Sequence, residues 1–294
     1  MLSVSGLSSA RADYYVEQVA AGFDEYYTGD QAEPGRWAGS AAERLGLEGL
    51  VTPDAFRRLL DAEHPGTGEP LDIPRTTSAR VGGFDLCFSA PKSVSLAWAL
   101  GGPAVSAAVA GAHDRAVDQA VITLEQEVLR ARRGAGGQRS VTTDGLVAAA
   151  FAHRSSRAGD PQLHTHLVVA NLTPDASGKW SALDGKRLFR WAKTVGYLYQ
   201  SALRHELSDA LGIGWGPVQK GAADIAGVPK DALEAFSTRR AQIEEALAER
   251  GPWSRASAEV AALSTRASKA SVPDLGELRQ RWQAQGPSWG SALA

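Results

Sequence analysis

The sequence predicts an α+β fold, in which antiparallel strands pack with helices and a further layer of helices follows. Three observations predict it. The segments 84–89, 146–154 and 162–171 read as strands, and the last two are joined by a loop, Ser155–Pro161, short enough for an antiparallel hairpin. Long stretches around them space their apolar residues as helices do. From Lys230 onward the chain is charged and helical, broken at Gly251-Pro252 and Pro273. With 294 residues, 44% of them hydrophobic, the chain can bury a sizeable core. The expected division is a main α/β domain over 1–228 and a helical subdomain over 229–294.

In chain order, Ala10 to about Tyr27 has helical spacing, and Gly29–Gly39 reads as a loop. Short helices are expected over Ala41–Leu45 and Pro53–His64. The loop His64–Arg75 follows, rich in Pro65, Gly66, Gly68, Pro70 and Pro74. FDLCFS (84–89) alternates as a strand, and Pro91 suits the first turn of a helix reaching Leu100. Pro103–Arg133 is expected as one long helix, ended by Gly134, Gly136 and Gly137. Strands follow at Ser140–Thr143, Leu146–Arg154 and Gln162–Asn171, then the turn Pro174–Gly178 and a short strand near Trp180. Leu188–Leu211 is helical, and Trp215–Val218 extended.

Several function classes are excluded early. No window approaches the roughly 18 apolar residues of a membrane span, so no membrane insertion is expected. The opening MLSVSGLSSARADYY has no basic start before an apolar run, so a secretory signal is not expected and the cytoplasm is the default. The single cysteine, Cys87, rules out a disulfide framework and a Cys-rich zinc site. No Gly-x-x-x-x-Gly-Lys-Ser/Thr phosphate loop occurs.

The net charge is −2, but it is unevenly spread. Residues 1–80 hold 7 Lys/Arg against 13 Asp/Glu, whereas 128–200 hold 11 Lys/Arg against 4 Asp. A phosphate-binding surface needs a local positive field rather than a basic whole, although uneven solvation of two faces would give the same map.

The chemistry concentrates in HRSSRAGDPQLHTH (153–166). Alternate side chains of a strand share a face, so His164 and His166 point the same way. In an antiparallel hairpin, a register pairing His153 with either of them puts all three imidazoles together. Opposed Cβ atoms lie about 4.5–5.5 Å apart and diagonal ones about 7–8 Å, which suits a three-point metal tripod. Three neutral imidazoles leave coordination positions open for an anionic oxygen. The divalent ion they imply is not identified by the ligands alone, and Mg, Mn, Zn and Ni all remain open.

The doublets Tyr14-Tyr15 and Tyr26-Tyr27 hold four of the six tyrosines. On a helical wheel, Tyr15, Tyr26 and Tyr27 fall in one apolar sector with Val16, Val19 and Phe23. Tyr14 lies opposite, among Asp13, Glu17, Gln18 and Asp24. Asp85, in FDLCFS, is placed to orient a metal-bound histidine or to take a proton from a nucleophile. A strand-end aspartate facing solvent is the plainer alternative. Lys92, Arg154 and Arg157 are candidates to hold DNA phosphates, and each also suits an ordinary surface charge.

Taken together, the opening MLS, the two tyrosine doublets, GGFDLCFSAPKSVS (82–95), HRSSRAGDPQLHTHLVVAN (153–171) and FSTRRAQIEEAL (236–247) resemble the TrwC/TraI (MOB-F) conjugative relaxases. These are histidine-hydrophobe-histidine endonucleases, although the middle residue here is Thr165. The resemblance implies an antiparallel sheet flanked by helices that carries the metal, with C-terminal helices that help clasp DNA. It implies sequence- and strand-specific nicking of single-stranded or hairpin DNA at a transfer origin. Tyr14 would be the leading nucleophile, forming a 5′-phosphotyrosyl link. Tyr26 or Tyr27 would serve a later strand transfer, with Asp85 as base or histidine-orienting partner. Accessory conjugation proteins and a coupling protein are the implied partners. A helicase is expected to follow in the full-length protein, and the ending GPSWGSALA suits an excised domain.

Tyrosine chemistry fits that role independently. Phenol has a pKa near 10, so it needs help to attack, yet phenolate leaves well enough for the ester to be reversed. Hydrolysis by water would be irreversible. Two other readings stay open at this point: a metal hydrolase or oxygenase using His164, His166 and a carboxylate, and a non-catalytic DNA-binding module with a structural metal.

Overall fold

The computed structural model describes residues 1–7, 34–71, 73, 81–134, 137–156, 158–248 and 275–286. The expected helix over 10–27, all four doublet tyrosines and Arg157 lie outside the described residues.

Strand β1 (Leu2–Leu7) opens the fold, followed by β2 (Arg36–Ala38) and helix α1 (Pro53–Leu60). Thr52 caps α1, its hydroxyl accepting from the Ala55 amide, and Pro53 takes the first turn. Strand β3 (Gly83–Ser89) leads through Pro91 into α2 (Lys92–Leu100) and α3 (Pro103–Thr123). A two-stranded ribbon, β4 (Ala131–Arg133) and β5 (Arg139–Val141), precedes the long pair β6 (Ala148–Ser155) and β7 (Pro161–Ala170). A small hairpin of β8 (Thr173–Pro174) and β9 (Trp180–Ser181) leads to α4 (Gly185–Leu211). The helices α5 (Lys230–Ala235), α6 (Thr238–Ala248) and α7 (Leu275–Gln285) complete the described chain.

The main sheet has the order β1-β3-β7-β6-β2, with every pairing antiparallel. Its two faces have different fates. Phe84, Leu86, Phe88, Ala148, Ala150, Leu163, Leu167 and Val169 point into the principal core, against α2, α3 and α4. On the opposite face, Leu7, Ala149, Phe151 and Val168 pack with Phe56 and Leu60 of α1. The fold is thus α+β, an antiparallel sheet flanked by helices.

Ala232, Phe236, Leu278 and Trp282, from α5 to α7, belong to the same core as the sheet. Among the described residues no helix is long and apolar enough to cross a membrane.

Three expectations are corrected. The helix expected over Pro103–Arg133 stops at Thr123 and continues as a π-helical turn, Leu124–Val128, before β4. The cause is long-range. The Glu125 carboxylate accepts from the Ser40 amide (2.8 Å), the Ser40 hydroxyl (2.9 Å) and the Leu146 amide (2.9 Å). Further on, Arg132 N donates to Ala182 O and Asp184 N to Arg130 O, which draws the chain out into a strand. The Gly29–Gly39 loop holds β2, because the amides of Trp37 and Val51 bond with the carbonyls of Gly49 and Gly35 as that segment docks on β6. The helix from Pro53 ends at Leu60, four residues short of His64, because the chain turns back at Ala62, where φ is 58°. Trp215–Val218, expected as extended, carries an isolated bridge from Trp215 to Ile225.

Candidate metal centre

β6 and β7 pair with His153 directly opposite His164, and Phe151 opposite His166. Opposed residues share a face, so all three histidines stand on the sheet face that α1 covers further along. The ladder slips just beyond them, Ser155 pairing with Pro161. The connecting turn uses Gly159 at φ +81°, a conformation that favours glycine.

Ring centres are 5.1 Å apart for His153–His164, 5.2 Å for His153–His166 and 5.3 Å for His164–His166. An ion about 2.1 Å from each nitrogen would stand roughly 3.2 Å from each ring centre, and near-tetrahedral angles would then separate the rings by about 5 Å. The spacing therefore fits. Among the described residues no three ligating side chains already close on one point.

Tautomers follow from the partners. His164 Nδ1 meets the Gln162 carbonyl at 2.9 Å, and His166 Nδ1 meets Asp85 Oδ1 at 2.8 Å. Both oxygens only accept, so both Nδ1 atoms carry protons, and in the neutral rings each Nε2 keeps its lone pair. Burial pushes His153 down to about 3, and His164 and His166 push in the same direction. His164 is lowered to about 4, again chiefly by burial. For His166, burial also opposes the charge, but Asp85 and Cys87 outweigh it and raise the group to about 10. An ion bound at Nε2 would take the place of that second proton. The donor set is then three imidazoles, one of them backed by a carboxylate, a common arrangement behind metal-bound histidine.

Asp85 is thus brought to the histidines, on β3 beside β7, with Cys87 directly opposite His166. Lys92 and Arg154 are engaged elsewhere. Lys92 Nζ donates to the Pro161 carbonyl (2.8 Å) at the foot of the hairpin; burial lowers its pKa, with Asp160 pulling the other way. The Arg154 guanidinium turns to the far side of the sheet, 5.7 Å from the Trp98 ring centre, which Arg279 also approaches at 5.0 Å.

Two supports were not anticipated. The histidine hairpin is braced by the C-terminal helices: Thr238 Oγ1 donates to Asp160 Oδ1 (2.9 Å), and Trp282 Nε1 to the Gly159 carbonyl (2.8 Å). Beneath the sheet, His113 and Tyr199 form a buried polar pair against Thr165. The only sequence signal for it was the hydroxyl of Thr165 at a core-facing position, which needs a partner.

Comparison with known proteins gives the family. A family model described as TrwC relaxase matches residues 8–288. The chain is 40% identical over 282 residues to a multifunctional conjugation protein TraI of Escherichia coli, and 38% identical over 285 residues to that of strain K12. Each match covers 92% of this chain but 15% of the relative, so the chain spans a small part of their length. Among solved structures, the metal-bound conjugative relaxase TrwC in complex with OriT DNA superposes with a TM-score of 0.84 at 35% identity, covering 99% of both chains. TrwC complexed with a 27-mer DNA comprising the recognition hairpin and the cleavage site gives 0.83 at 34% identity, again covering 99% of both. By its sequence and its sheet, this chain belongs to the TrwC relaxase family.

Proposed function

We propose that the chain is the nicking domain of a conjugative relaxase, cutting one DNA strand at a transfer origin and keeping the 5′ phosphate as a tyrosine ester. The observation that carries this reading is the meeting of His153, His164 and His166 on one sheet face, with Asp85 on the outer nitrogen of His166. A divalent ion held there would neutralise the non-bridging oxygens of the scissile phosphate.

The chain's own residues do the rest. Asp85 accepts from His166 Nδ1–H and so keeps Nε2 turned to the ion. Tyr14 Oη attacks phosphorus, losing its proton as the new P–O bond forms. The bond to O3′ breaks, and that oxygen takes up a proton to leave a free 3′-OH. The reverse sequence religates the strand. Tyr15 is the spare partner in the first doublet, and Tyr26 or Tyr27 serves a second transfer. The exposed cations Arg132, Arg139, Lys179, Lys186, Arg190 and Lys193 supply a field for DNA. Arg157 joins them, and Lys92 and Arg154 hold the hairpin and its flank.

On this reading the substrate is single-stranded or hairpin DNA, and the compartment is the cytoplasm. Helices from 229 on help clasp the strand. Accessory conjugation proteins and a coupling protein are partners, and a helicase follows in the full-length protein. TrwC, as solved, holds OriT DNA and in one structure a metal, which supports the reading.

The test is incubation of the purified chain with a supercoiled plasmid carrying its own origin, with and without EDTA. Nicking that EDTA stops, and a 5′-phosphate found by mass spectrometry on the Tyr14 peptide, is the expected result. Binding without nicking would leave a DNA-binding module, and nicking undiminished in Tyr14→Phe would point to a metal hydrolase or a different tyrosine.

A further inference from the structure

Between the two histidines of β7 stands Thr165. Its neighbours point up to the metal face, so its own side chain points down into the core, where it is 3% exposed. Across the ladders it faces Phe88 on β3 and Ala152 on β6, neither of which offers a polar partner. That partner comes from a helix. His113 of α3 places Nε2 2.8 Å from Thr165 Oγ1, and its Nδ1 lies 2.8 Å from the hydroxyl of Tyr199 on α4. His113 and Tyr199 are both fully buried, with their rings perpendicular and 5.7 Å apart.

Burial pushes His113 down to about 3 and Tyr199 well above its ordinary value, so both are neutral. A neutral imidazole has one N–H and one lone pair. The chain therefore has two wirings. Either Tyr199 donates to Nδ1 and Nε2–H to Thr165, or Thr165 donates to Nε2 and Nδ1–H to Tyr199. Each wiring satisfies both ring nitrogens. The result is a polar tie, closed at both ends, running from two helices to the one residue of β7 that lies between two of the three histidines.

We propose that His113 is a positioning residue for the metal centre, holding His164 and His166 at the height and twist of β7 that lets their rings meet His153. The proposal rests on the reading that these histidines bind an ion. Three-ligand coordination tolerates displacements of only about half an ångström, so a hydrogen-bonded anchor under the strand matters where mere packing would leave slack. A residue needed only for packing would be replaceable by an apolar one of like size without change in the affinity of the folded protein.

The test is calorimetric titration of Mn²⁺ or Zn²⁺ into the chain, with thermal unfolding of the metal-free protein alongside. Thr165→Val and His113→Phe keep bulk but break the tie, and each is expected to weaken ion binding about 10- to 100-fold, the range for groups that orient metal ligands. Thr165→Ser, which restores the hydroxyl, should regain most of the affinity, and Tyr199→Phe should lose less than His113→Phe. Folded Thr165→Val or His113→Phe protein that binds as tightly as wild type overturns the proposal. If those two do not fold, unchanged affinity in Tyr199→Phe overturns it instead. Wild-type protein that takes up no ion removes the metal reading itself, an outcome distinct from a wild type that binds and variants that do not differ from it.

Discussion

Asp85 decides which nitrogen of His166 faces the site, because its oxygen can only accept and so claims the Nδ1 proton. Asp85→Asn keeps the shape but loses the charge that makes the imidazole a better ligand. We expect metal affinity to fall about 10- to 100-fold. Nicking should then recover when the ion is raised to saturation. A rate still down by about 10² to 10⁴ at saturation would make Asp85 a proton acceptor instead. His113 gives a second prediction. Its pKa falls from 6.5 to about 3 on folding, so the unfolded chain binds a proton there before the native one does. That contribution to stability is fully present above pH 6.5 and is lost as pH falls toward 3. Linkage puts the loss from His113 at about 2 kcal/mol between pH 7 and 5. His153 and His164, also depressed, act in the same direction, whereas His166, raised to about 10, acts in the opposite one and offsets part of the fall. Urea unfolding of the metal-free chain at the two pH values should show the fall, and His113→Phe should show a smaller one. The histidine trio was legible in the sequence because strand parity is local. His113 was not, because its partners lie 52 and 86 residues away and a single histidine in an alanine-rich helix carries no such period.

The same division between local and distant causes governs the elements. β3, β6 and β7 were legible because alternation and the loop at 155–161 lie within a few residues of one another. The end of α3 was not, because apolar spacing continues past Thr123 and only tertiary partners break it. Glu125 is the chief of these, a single oxygen accepting from Ser40 twice and from Leu146. Leu146 N lies at the head of β6, so the carboxylate ties the end of the helix to the start of the histidine strand. Glu125→Ala leaves that amide without its partner, and an unmade bond of this kind costs about 1–3 kcal/mol. Unfolding by urea should show a loss of about 2 kcal/mol, with a fall in midpoint and little change in slope. A loss within experimental error would mean that water replaces the carboxylate and that the π-helical turn has another cause. β1 and β2 were missed for the reverse reason: each is short or polar, and pairing with β3 and β6 makes it a strand where propensity does not.

Across the whole molecule, the overall charge of −2 conceals an uneven spread along the chain. The exposed cations of the 128–200 stretch lie on the β4–β5 ribbon, beside the β8–β9 hairpin and along α4, whereas the 1–80 stretch is acidic. An acidic balance elsewhere suppresses indiscriminate binding while leaving one basic region to meet a polyanion. If that region holds DNA, binding must release counterions, and affinity must fall linearly on a log–log plot against salt. Each phosphate contact contributes a slope of about −0.7 on single strands and −0.9 on duplex. Arg132 and Arg139 stand exposed on neighbouring strands of the ribbon, so they are the simplest pair to remove without touching the core. Anisotropy titrations of an origin hairpin oligonucleotide between about 50 and 200 mM salt should show a steep slope for the wild-type chain. Arg132→Gln with Arg139→Gln should make that slope shallower by about 1.4 to 1.8 while leaving unfolding by urea nearly unchanged. A slope near zero in the wild type would remove DNA from this surface. A steep slope that the double substitution leaves intact would move the phosphate contacts from the ribbon to Lys186, Arg190 and Lys193 of α4.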